Sequence, residues 1–361
     1  MIWFDLIWLS STASALICLH EKITGSLDND ATLGVIILAY DFSKAFDKLG
    51  HDVIIDTLRT NSLPVGFVQW ILEYLNNRTQ IVKIDNNYSC PLTIKSGIPQ
   101  GSVIGPFLFN LVVGSLHPVY DSTTIVKYVD DCTFVIPITR DQPDCYHQEH
   151  VNMLRWSTSV GLRLNTKKCK YLWIPKSTHC VPPVISDFSV VSELKILGVY
   201  FSSNLKWKKQ IDYVNKRASC RLYALRVLKP CLDRTELIAI YHGLILSLLE
   251  YCSPVMIGMM TKDEYVLDRI QRRAHRVICG KDCNCDCLPN LRSRREAAAI
   301  KLLNRIAERP SHPLHDLCPK RSYISQRFIM PAVKTSRRLN SFFPMSVILA
   351  NNTHLHVHVD T

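Results

Sequence analysis

Residues 124–138 read TIVKYVDDCTFVIPI and carry two adjacent aspartates, Asp130 and Asp131, inside an otherwise β-rich stretch. Asp is among the residues most depleted from strands, and neighbouring carboxylates repel each other. Two short apolar runs separated by two turn-forming residues predict a β-hairpin with both aspartates in its turn. A surface turn would by itself explain the pair, because Asp favours turns. The apolar flanks instead place the turn at the edge of a buried core.

A second strand also ends in a carboxylate. Residues 34–40, GVIILAY, form a continuous apolar run typical of a buried strand, and Asp41 follows directly. Two buried strands that end in aspartates can bring three carboxylates together. Carboxylate oxygens suit Mg²⁺, and two such ions about 3.5–4 Å apart stabilise the attacking and leaving oxygens of phosphoryl transfer. Bound cations would also remove the repulsion within the pair.

The chain carries a net charge of +12, unevenly distributed. Acidic residues outnumber basic ones over 1–150, and basic residues predominate from 151 onward. This asymmetry indicates a polyanion such as nucleic acid, held mainly by the second half; an ordinary solvated surface is the alternative.

The 14 cysteines are mostly isolated among apolar residues. Such usage favours reduced thiols and an intracellular protein, in the nucleus or the cytoplasm, over a secreted one. The apolar N-terminal stretch lacks a basic region, and it is interrupted too early for a spanning helix. We therefore expect neither a signal peptide nor a membrane segment.

Strand-like and helical segments alternate up to about residue 215, which predicts an α+β sheet domain. The pattern then becomes helical, and the last 50 residues are less regular. One helix is predicted over residues 261–280, with a capping box at Thr261 and Glu264 and a stop at Gly280. A basic face follows from i, i+3, i+4 and i+7 spacing of Arg269, Arg272, Arg273 and Arg276. A helix lying along a phosphate backbone needs such a face, and a merely solvated surface is the alternative.

Five blocks, taken in order, resemble the reverse transcriptases of non-LTR retrotransposons, in particular the jockey-like and related elements of animals. They are YDFSKAFD (40–47), SGIPQGSVIGPFLF (96–109), YVDD (128–131), GLRLNTKKCK (161–170) and LKILGVYFSSNLKW (194–207). The arginine helix, the later HPL and the closing SFFP resemble the thumb and tail of the same elements. One block alone could arise by chance, whereas five in this order are not expected by chance.

The resemblance implies a right-hand polymerase fold, with an α+β palm of an antiparallel sheet and packed helices followed by a helical thumb. The implied regions are a remnant of the fingers (1–33), the palm (34–190), a primer-grip region (191–214), a basic helical thumb (215–310) and a C-terminal tail (311–361). Only a short segment precedes Asp41, and it lacks the Arg-rich stretch of the family. We therefore expect the fingers to be largely missing and the chain to be N-terminally truncated.

The resemblance also implies roles for the acidic residues. Asp41 and Asp130 would each bind both metal ions, and Asp131 would assist them or bind metal more weakly. The ions would be Mg²⁺, with Mn²⁺ as the alternative. Lys168 matches the lysine of the fourth block, where it would protonate or neutralise the leaving pyrophosphate. Asp47 is expected to be structural.

Substrate-binding residues follow in the same way: Phe42, Phe46, Gly97, Pro99, Gln100 and Gly101. The ring of Phe46 would lie against the sugar C2′ and clash with a 2′-OH, which favours deoxynucleotides; an ordinary core phenylalanine is the alternative. Glycine lets the backbone approach a substrate closely, and Gln100 can hydrogen-bond to the template or the nucleotide. The implied primer and nucleic-acid residues are Leu197, Gly198, Trp207, Arg269, Arg272, Arg273 and Arg276.

The implied activity is RNA-directed DNA synthesis. A primer 3′-OH attacks the α-phosphorus of a deoxynucleoside triphosphate, and pyrophosphate leaves. The expected partners are an RNA template, a DNA primer and deoxynucleoside triphosphates. A catalytically inactive nucleic-acid-binding remnant is one alternative. Another palm polymerase, such as an RNA-dependent RNA polymerase or an intron-encoded maturase, is a second, against which Phe46 argues.

The stretch CGKDCNCDC (279–287) contains four cysteines, with His275 and Cys318 as additional candidate ligands. Four thiolates can bind Zn²⁺. However, the alternating cysteines do not have the paired two-residue spacing of a zinc knuckle. We therefore expect a variable Cys-containing loop rather than a zinc site.

Overall fold

The computed structural model describes residues 11–357, except 186–187, 281–282, 284, 286 and the side chains of 353–357. The strands are β1 Thr32–Tyr40, β2 Thr79–Gln80, β3 Lys83–Ile84, β4 Asn87–Tyr88, β5 Leu92–Thr93, β6 Thr124–Tyr128, β7 Asp131–Thr139, β8 Lys170–Pro175, β9 Ser189–Val191, β10 Glu193–Ile196 and β11 Val199–Ser202. The helices are α1 Thr12–Asp28, α2 Ala45–Lys48, α3 His51–Thr60, α4 Val65–Leu75, α5 Gly105–Gly114, α6 Cys145–Ser159, α7 Lys208–Leu228, α8 Arg234–Ile240, α9 Ser247–Leu249, α10 Thr261–Cys279, α11 Leu291–Glu308, α12 Ser336–Leu339 and α13 Phe342–Val357. The chain is thus mixed α+β.

One five-stranded sheet carries the two strands that the sequence singled out. Its order is β6-β7-β1-β8-β9, so β7 lies beside β1. Both strands are apolar along almost their whole length, and both are buried on their two faces. A continuous apolar run suits a strand covered on both sides. The acidic residues therefore occur where the buried runs end.

The described part of the chain consists of two compact units. The first contains residues 36–171 and 183–190, and the second contains residues 11–35, 172–182 and 191–357. Within the first unit, α3 packs against both α4 and α5.

The second unit is largely helical. Its α7 packs against α10, and α11 packs against α13. Between α8 and α9 the helix widens to π-type hydrogen bonding over Tyr241–Leu246. Within the described part of the chain, no helix is both long and apolar enough to cross a membrane.

The buried strand predicted over residues 34–40 is confirmed as part of β1, and the helix predicted over residues 261–280 is confirmed as α10. Two predictions were wrong. The tail is more regular than expected, because α13 buries Phe342 and Phe343 within the second unit. The capping box of α10 is absent: Met260 is the N-cap, and Glu264 instead forms an ion pair with Arg295 at 2.7 Å.

Candidate active site

Asp41 is held at the end of β1 by a neighbouring segment. Its backbone carbonyl accepts a hydrogen bond from the Asn165 amide at 2.8 Å, and Phe42 forms an antiparallel bridge with Leu164. The same segment continues into Lys168, whose amide donates to the Asn165 carbonyl. The first and fourth sequence blocks therefore form one local structure.

The hairpin β6–β7 is confirmed, but its turn is one residue earlier than predicted. Tyr128 pairs with Asp131, which leaves Val129 and Asp130 as the two turn residues. Val129 has a φ of +56°, an uncommon conformation for a β-branched residue. Asp130 thus lies at the tip, while Asp131 is the first residue of β7.

The three predicted aspartates interact electrostatically. Partial burial, reinforced by the negative charges of Asp130 and Asp41, raises the pKa of Asp131 to about 6. A cation bound near these carboxylates would lower the pKa of Asp131. Asp41 and Asp130 are therefore near enough to Asp131 for their charges to act on it, and the three residues make up a carboxylate cluster.

Lys168 forms an ion pair with Asp41. Its Nζ lies 3.5 Å from Asp41 Oδ1, with both side chains partly exposed. Within the described residues, Asp41 Oδ1 is shielded from solvent and accepts no hydrogen bond. A buried carboxylate oxygen without a donor is costly, and a divalent cation would satisfy it. The donor set of three carboxylates fits a hard divalent metal ion.

Two phenylalanines near Asp41 differ in exposure. Phe46 is half-buried, and it stacks on Phe109 with ring centroids 4.7 Å apart. Phe42 is buried and packs against Trp156 at 6.0 Å. The predicted substrate contact of Phe42 is therefore not available to its ring, which lies in the core. Phe46 keeps part of its ring accessible on a fixed support.

The loop over residues 96–101 is attached to the helix that follows Asp41. The Gly97 amide donates to the Leu49 carbonyl at 2.8 Å, and the Ile98 amide donates to the Phe46 carbonyl at 2.7 Å. Gly97 has a φ of +93°, and a Cβ there would lie 2.7 Å from the Asp47 carbonyl oxygen. Glycine is therefore required at this position.

Gln100 does not point freely into solvent. Its Nε2 donates to Asp47 Oδ1 at 2.9 Å, which gives Asp47 the structural role expected for it and orients the Gln100 amide. The two residues line a cleft of about 600 Å³ together with Arg78, Gly97 and Pro99. Gly101 also has a positive φ, +82°.

Sequence reasoning missed His51 and Arg78. His51 Nε2 lies 2.9 Å from the Gly97 carbonyl oxygen and so supports the loop. Arg78 lines the cleft, and its Nε is buried without a hydrogen-bond partner among the described residues. Neither residue belongs to a block, and only the tertiary fold brings them to the loop.

In the second unit, Leu197 and Gly198 form the two-residue turn between β10 and β11. Both have positive φ, as type I′ hairpin turns require. The Tyr251 hydroxyl donates to the Leu197 carbonyl at 2.8 Å. The turn is therefore fixed from outside the hairpin.

Trp207 requires a correction. Its side chain is buried, packing against His20 at 5.3 Å and against Phe201 at 5.6 Å. A buried indole cannot touch a primer directly. Trp207 instead packs against the β10–β11 hairpin and forms the N-cap of α7.

The arginine face of α10 forms as its spacing predicts. Leu267, Ile270, Ala274 and Val277 are buried on the opposite side. The guanidinium of Arg272 lies 4.9 Å from the centre of the Tyr265 ring, within cation–π range. The exposed members of the face are Arg269, Arg272 and Arg276, and Arg273 is half-buried.

The ends of two buried strands thus carry a carboxylate cluster with a lysine beside it. The family model "Reverse transcriptase (RNA-dependent DNA polymerase)" matches residues 11–213. This match covers more than half of the chain, which therefore belongs to the reverse transcriptase family. Divalent metal ions are the cofactors that this family uses, and RNA templates and nucleotides are its substrates.

Curated relatives are polymerases of mobile elements. The chain is 24% identical over 334 residues to the RNA-directed DNA polymerase from mobile element jockey of Drosophila funebris. The alignment covers 85% of this chain and 36% of the relative. It is 24% identical over 299 residues to the probable RNA-directed DNA polymerase from transposon BS of Drosophila melanogaster. That alignment covers 76% of this chain and 32% of the relative. The chain spans about a third of the length of these relatives. The resemblance to non-LTR retrotransposon reverse transcriptases is confirmed.

Solved telomerase structures overlap more loosely. Telomerase from Candida tropicalis, in complex with a TWJ fragment of telomeric RNA, has a TM-score of 0.44 at 9% identity, over 84% of this chain and 51% of that chain. Telomerase from Candida albicans with the same kind of fragment has a TM-score of 0.37 at 14% identity, over 80% and 52%. The family assignment rests on the sequence match.

Proposed function

We propose that this chain is an RNA-directed DNA polymerase domain of a non-LTR retrotransposon, extending a DNA primer on an RNA template with deoxynucleoside triphosphates. The observation that supports it is the convergence of Asp41, Asp130 and Asp131 beside Lys168 at the family's block positions. Residues 34–190 would act as the palm, 191–214 as the primer grip and 215–310 as the thumb. An intracellular site of action, in the nucleus or cytoplasm, belongs to the same proposal.

The three carboxylates would hold two Mg²⁺ ions. Such ions activate the attacking hydroxyl and stabilise the leaving oxygen of phosphoryl transfer. Asp41 Oδ1, shielded and without a hydrogen bond, is the atom best prepared for a cation. Mutual repulsion within the cluster disfavours its fully ionised form until positive charge arrives.

Lys168 has two successive roles in this proposal. Without a bound cation its ammonium lies 3.5 Å from Asp41 Oδ1 and partly compensates the carboxylate charge. With substrate present, the exposed Nζ is free to swing toward the departing pyrophosphate and neutralise or protonate it. The Lys168 amide donates to the Asn165 carbonyl at 2.9 Å, which would hold the base of this side chain in place in both arrangements.

Phe46 and Gln100 would select and orient the nucleotide. The Phe46 ring is supported by Phe109, so a clash with a 2′-OH cannot easily be relieved by movement of the ring. The Gln100 amide is held by Asp47, which leaves its position fixed before substrate binds. Preorganisation of this kind reduces the ordering cost of binding.

Primer extension by the purified chain tests the proposal. With an RNA template, a DNA primer, deoxynucleotides and Mg²⁺, we expect extension by the unaltered chain and a loss of about 10²-fold or more in Asp130→Asn. Binding of the hybrid, followed by fluorescence anisotropy, should be unchanged in that variant.

Three outcomes would contradict the proposal. Equal extension by the unaltered chain and by Asp130→Asn would show that the cluster does no chemistry. Binding of the hybrid without any extension would instead support a nucleic-acid-binding remnant that has lost turnover. A preference for ribonucleotides would favour a different palm polymerase.

A further inference from the structure

A histidine and three cysteines converge at the C-terminal end of α10. His275 and Cys279 lie one helical turn apart on α10, and Cys283 and Cys285 belong to the loop that follows. Their candidate ligand atoms all lie within 4.8 Å of one another. The loop therefore returns its cysteines to the helix end, which the alternating spacing of the cysteines did not indicate.

The distances fit a tetrahedral zinc site. Cys285 Sγ lies 3.6 Å from Cys279 Sγ and 3.5 Å from His275 Nε2. Bonds of about 2.3 Å to sulfur and about 2.0–2.1 Å to nitrogen place neighbouring ligand atoms roughly 3.5–3.8 Å apart. A disulfide needs a sulfur–sulfur distance of about 2.05 Å. The arrangement is thus close to a coordination shell and far from a disulfide.

We propose that His275, Cys279, Cys283 and Cys285 bind one structural Zn²⁺ ion. Four protein ligands close the tetrahedron and leave no position for substrate, which is typical of structural sites. Cys287 is outside this set. Its Sγ lies 3.2 Å from Cys279 Sγ and packs beside the cluster.

The surroundings balance the charge of such a site. Three thiolates and a neutral imidazole around Zn²⁺ carry a net negative charge. Arg234 Nη2 lies 2.7 Å from Cys285 Sγ and donates a hydrogen bond to it. Residues that contact a ligand in this way orient it and support its charge. His275 Nε2, now 2.9 Å from the Cys285 carbonyl oxygen, would exchange that hydrogen bond for the metal.

The site would complete the attachment of the 280–290 loop to α10. At the far end of the loop, Gln271 Nε2 already donates to the carbonyls of Leu288 at 3.2 Å and Pro289 at 2.7 Å. Zinc would fix the near end. Because metal binds only the folded arrangement, it would stabilise the helix that carries the arginine face.

Metal analysis of the full chain tests the proposal. The protein is purified without chelator, and zinc is measured by mass spectrometry of the metal. We expect about one zinc per chain. The substitutions Cys279→Ser, Cys283→Ser and Cys285→Ser should each remove it. The exposed thiol of Cys220, on α7, provides the matched control, and Cys220→Ser should keep the metal.

Cobalt provides a readout that does not depend on a variant's folding. Titrating the metal-free unaltered chain with Co²⁺ should give the visible bands of tetrahedral cobalt and a thiolate charge-transfer band. Arg234→Gln should weaken zinc binding by about 10-fold or more without abolishing it.

Three results would overturn the proposal. One is an unaltered chain that contains no zinc and gives no tetrahedral cobalt bands. Another is a mass lower by two hydrogen atoms, together with a proteolytic fragment in which Cys279 and Cys287 are joined, because this would identify a disulfide in place of a metal. The third is a loss of zinc in Cys287→Ser together with normal zinc in Cys283→Ser, because this would replace Cys283 by Cys287 among the ligands.

Discussion

Replacing Gly97 with alanine tests whether the 96–101 loop must approach the backbone at Asp47 as closely as the structure shows. A Cβ at Gly97 would lie 2.7 Å from the Asp47 carbonyl oxygen and 3.0 Å from its Cα. These atoms belong to the backbone, so they cannot rotate away. Gly101, with a φ of +82° and no atom within 4 Å of its Cβ position, is the matched control.

The two substitutions should differ in their cost. A non-glycine residue at such positive φ loses about 1–2 kcal/mol, and this term applies to both. Overpacking adds about 1–3 kcal/mol at Gly97 alone. We therefore expect Gly97→Ala to lower the free energy of unfolding by about 2–5 kcal/mol and Gly101→Ala by about 1–2 kcal/mol. Both variants should remain folded at moderate temperature.

The same substitution should reduce activity beyond its effect on stability. Relief of the clash moves the loop away from Asp47, and with it Gln100, whose amide is held 2.9 Å from Asp47 Oδ1. A displacement of about 1 Å near reacting groups can cost about 10²-fold in rate. Single-nucleotide incorporation should therefore fall by about 10- to 100-fold in Gly97→Ala.

Urea unfolding, followed by circular dichroism, and single-turnover incorporation measure the two effects. Equal unfolding costs for Gly97→Ala and Gly101→Ala would show that the close approach does not constrain the loop. Unchanged incorporation in a folded Gly97→Ala variant would show that the loop does not position the nucleotide.

Three further predictions concern single side chains. Phe46→Val should raise the incorporation of ribonucleotides relative to deoxynucleotides by about 10–100-fold, and an unchanged ratio would exclude the ring as the barrier to the 2′-OH. Lys168→Gln should lower kcat by about 10²–10⁴-fold with unchanged binding of the hybrid, whereas Lys167→Gln should change neither; a loss confined to the Lys167 variant would reassign the role. Burial, reinforced by the positive charge of Arg338, lowers the pKa of His20 to about 4. In the unfolded chain the imidazole of His20 takes up a proton below about pH 6.5, whereas in the folded chain it does so only near pH 4. The free energy of unfolding is therefore unaffected by His20 above pH 6.5, and it falls between pH 6.5 and pH 4, by about 2 kcal/mol at pH 5. The urea midpoint of unfolding should fall between pH 6.5 and pH 4 in the unaltered chain but not in His20→Gln. If both chains showed the same pH dependence, His20 would not be its cause.

The identity of the carboxylates could be predicted from the sequence because Asp41 directly follows one apolar run and Asp130 and Asp131 directly precede another. Burial of β1 and β7 on both faces leaves their ends as the places where charge meets solvent. The register of the hairpin could not be predicted, because local preference favours Asp-Asp over Val-Asp as a turn. Pairing of Tyr128 with Asp131 overrides that preference.

The sequence also could not predict the role of a side chain whose contacts come from residues distant in the sequence. Glu264 has the spacing of a capping residue, yet Arg295 on another helix takes its carboxylate. Trp207 lies in a block that contacts the primer in the family, yet His20 and Phe201 enclose its ring. Local spacing predicts which residues share a face, and packing decides what covers them.

The conformation of Val129 has a consequence for engineering this protein. Glycine is the residue that a positive φ at the first turn position favours, so Val129→Gly should make the fold more stable. It would also give the backbone next to Asp130 more freedom. A screen for thermal tolerance would therefore select a chain in which the carboxylate of Asp130 is less firmly positioned, so selection for stability alone would work against the proposed activity.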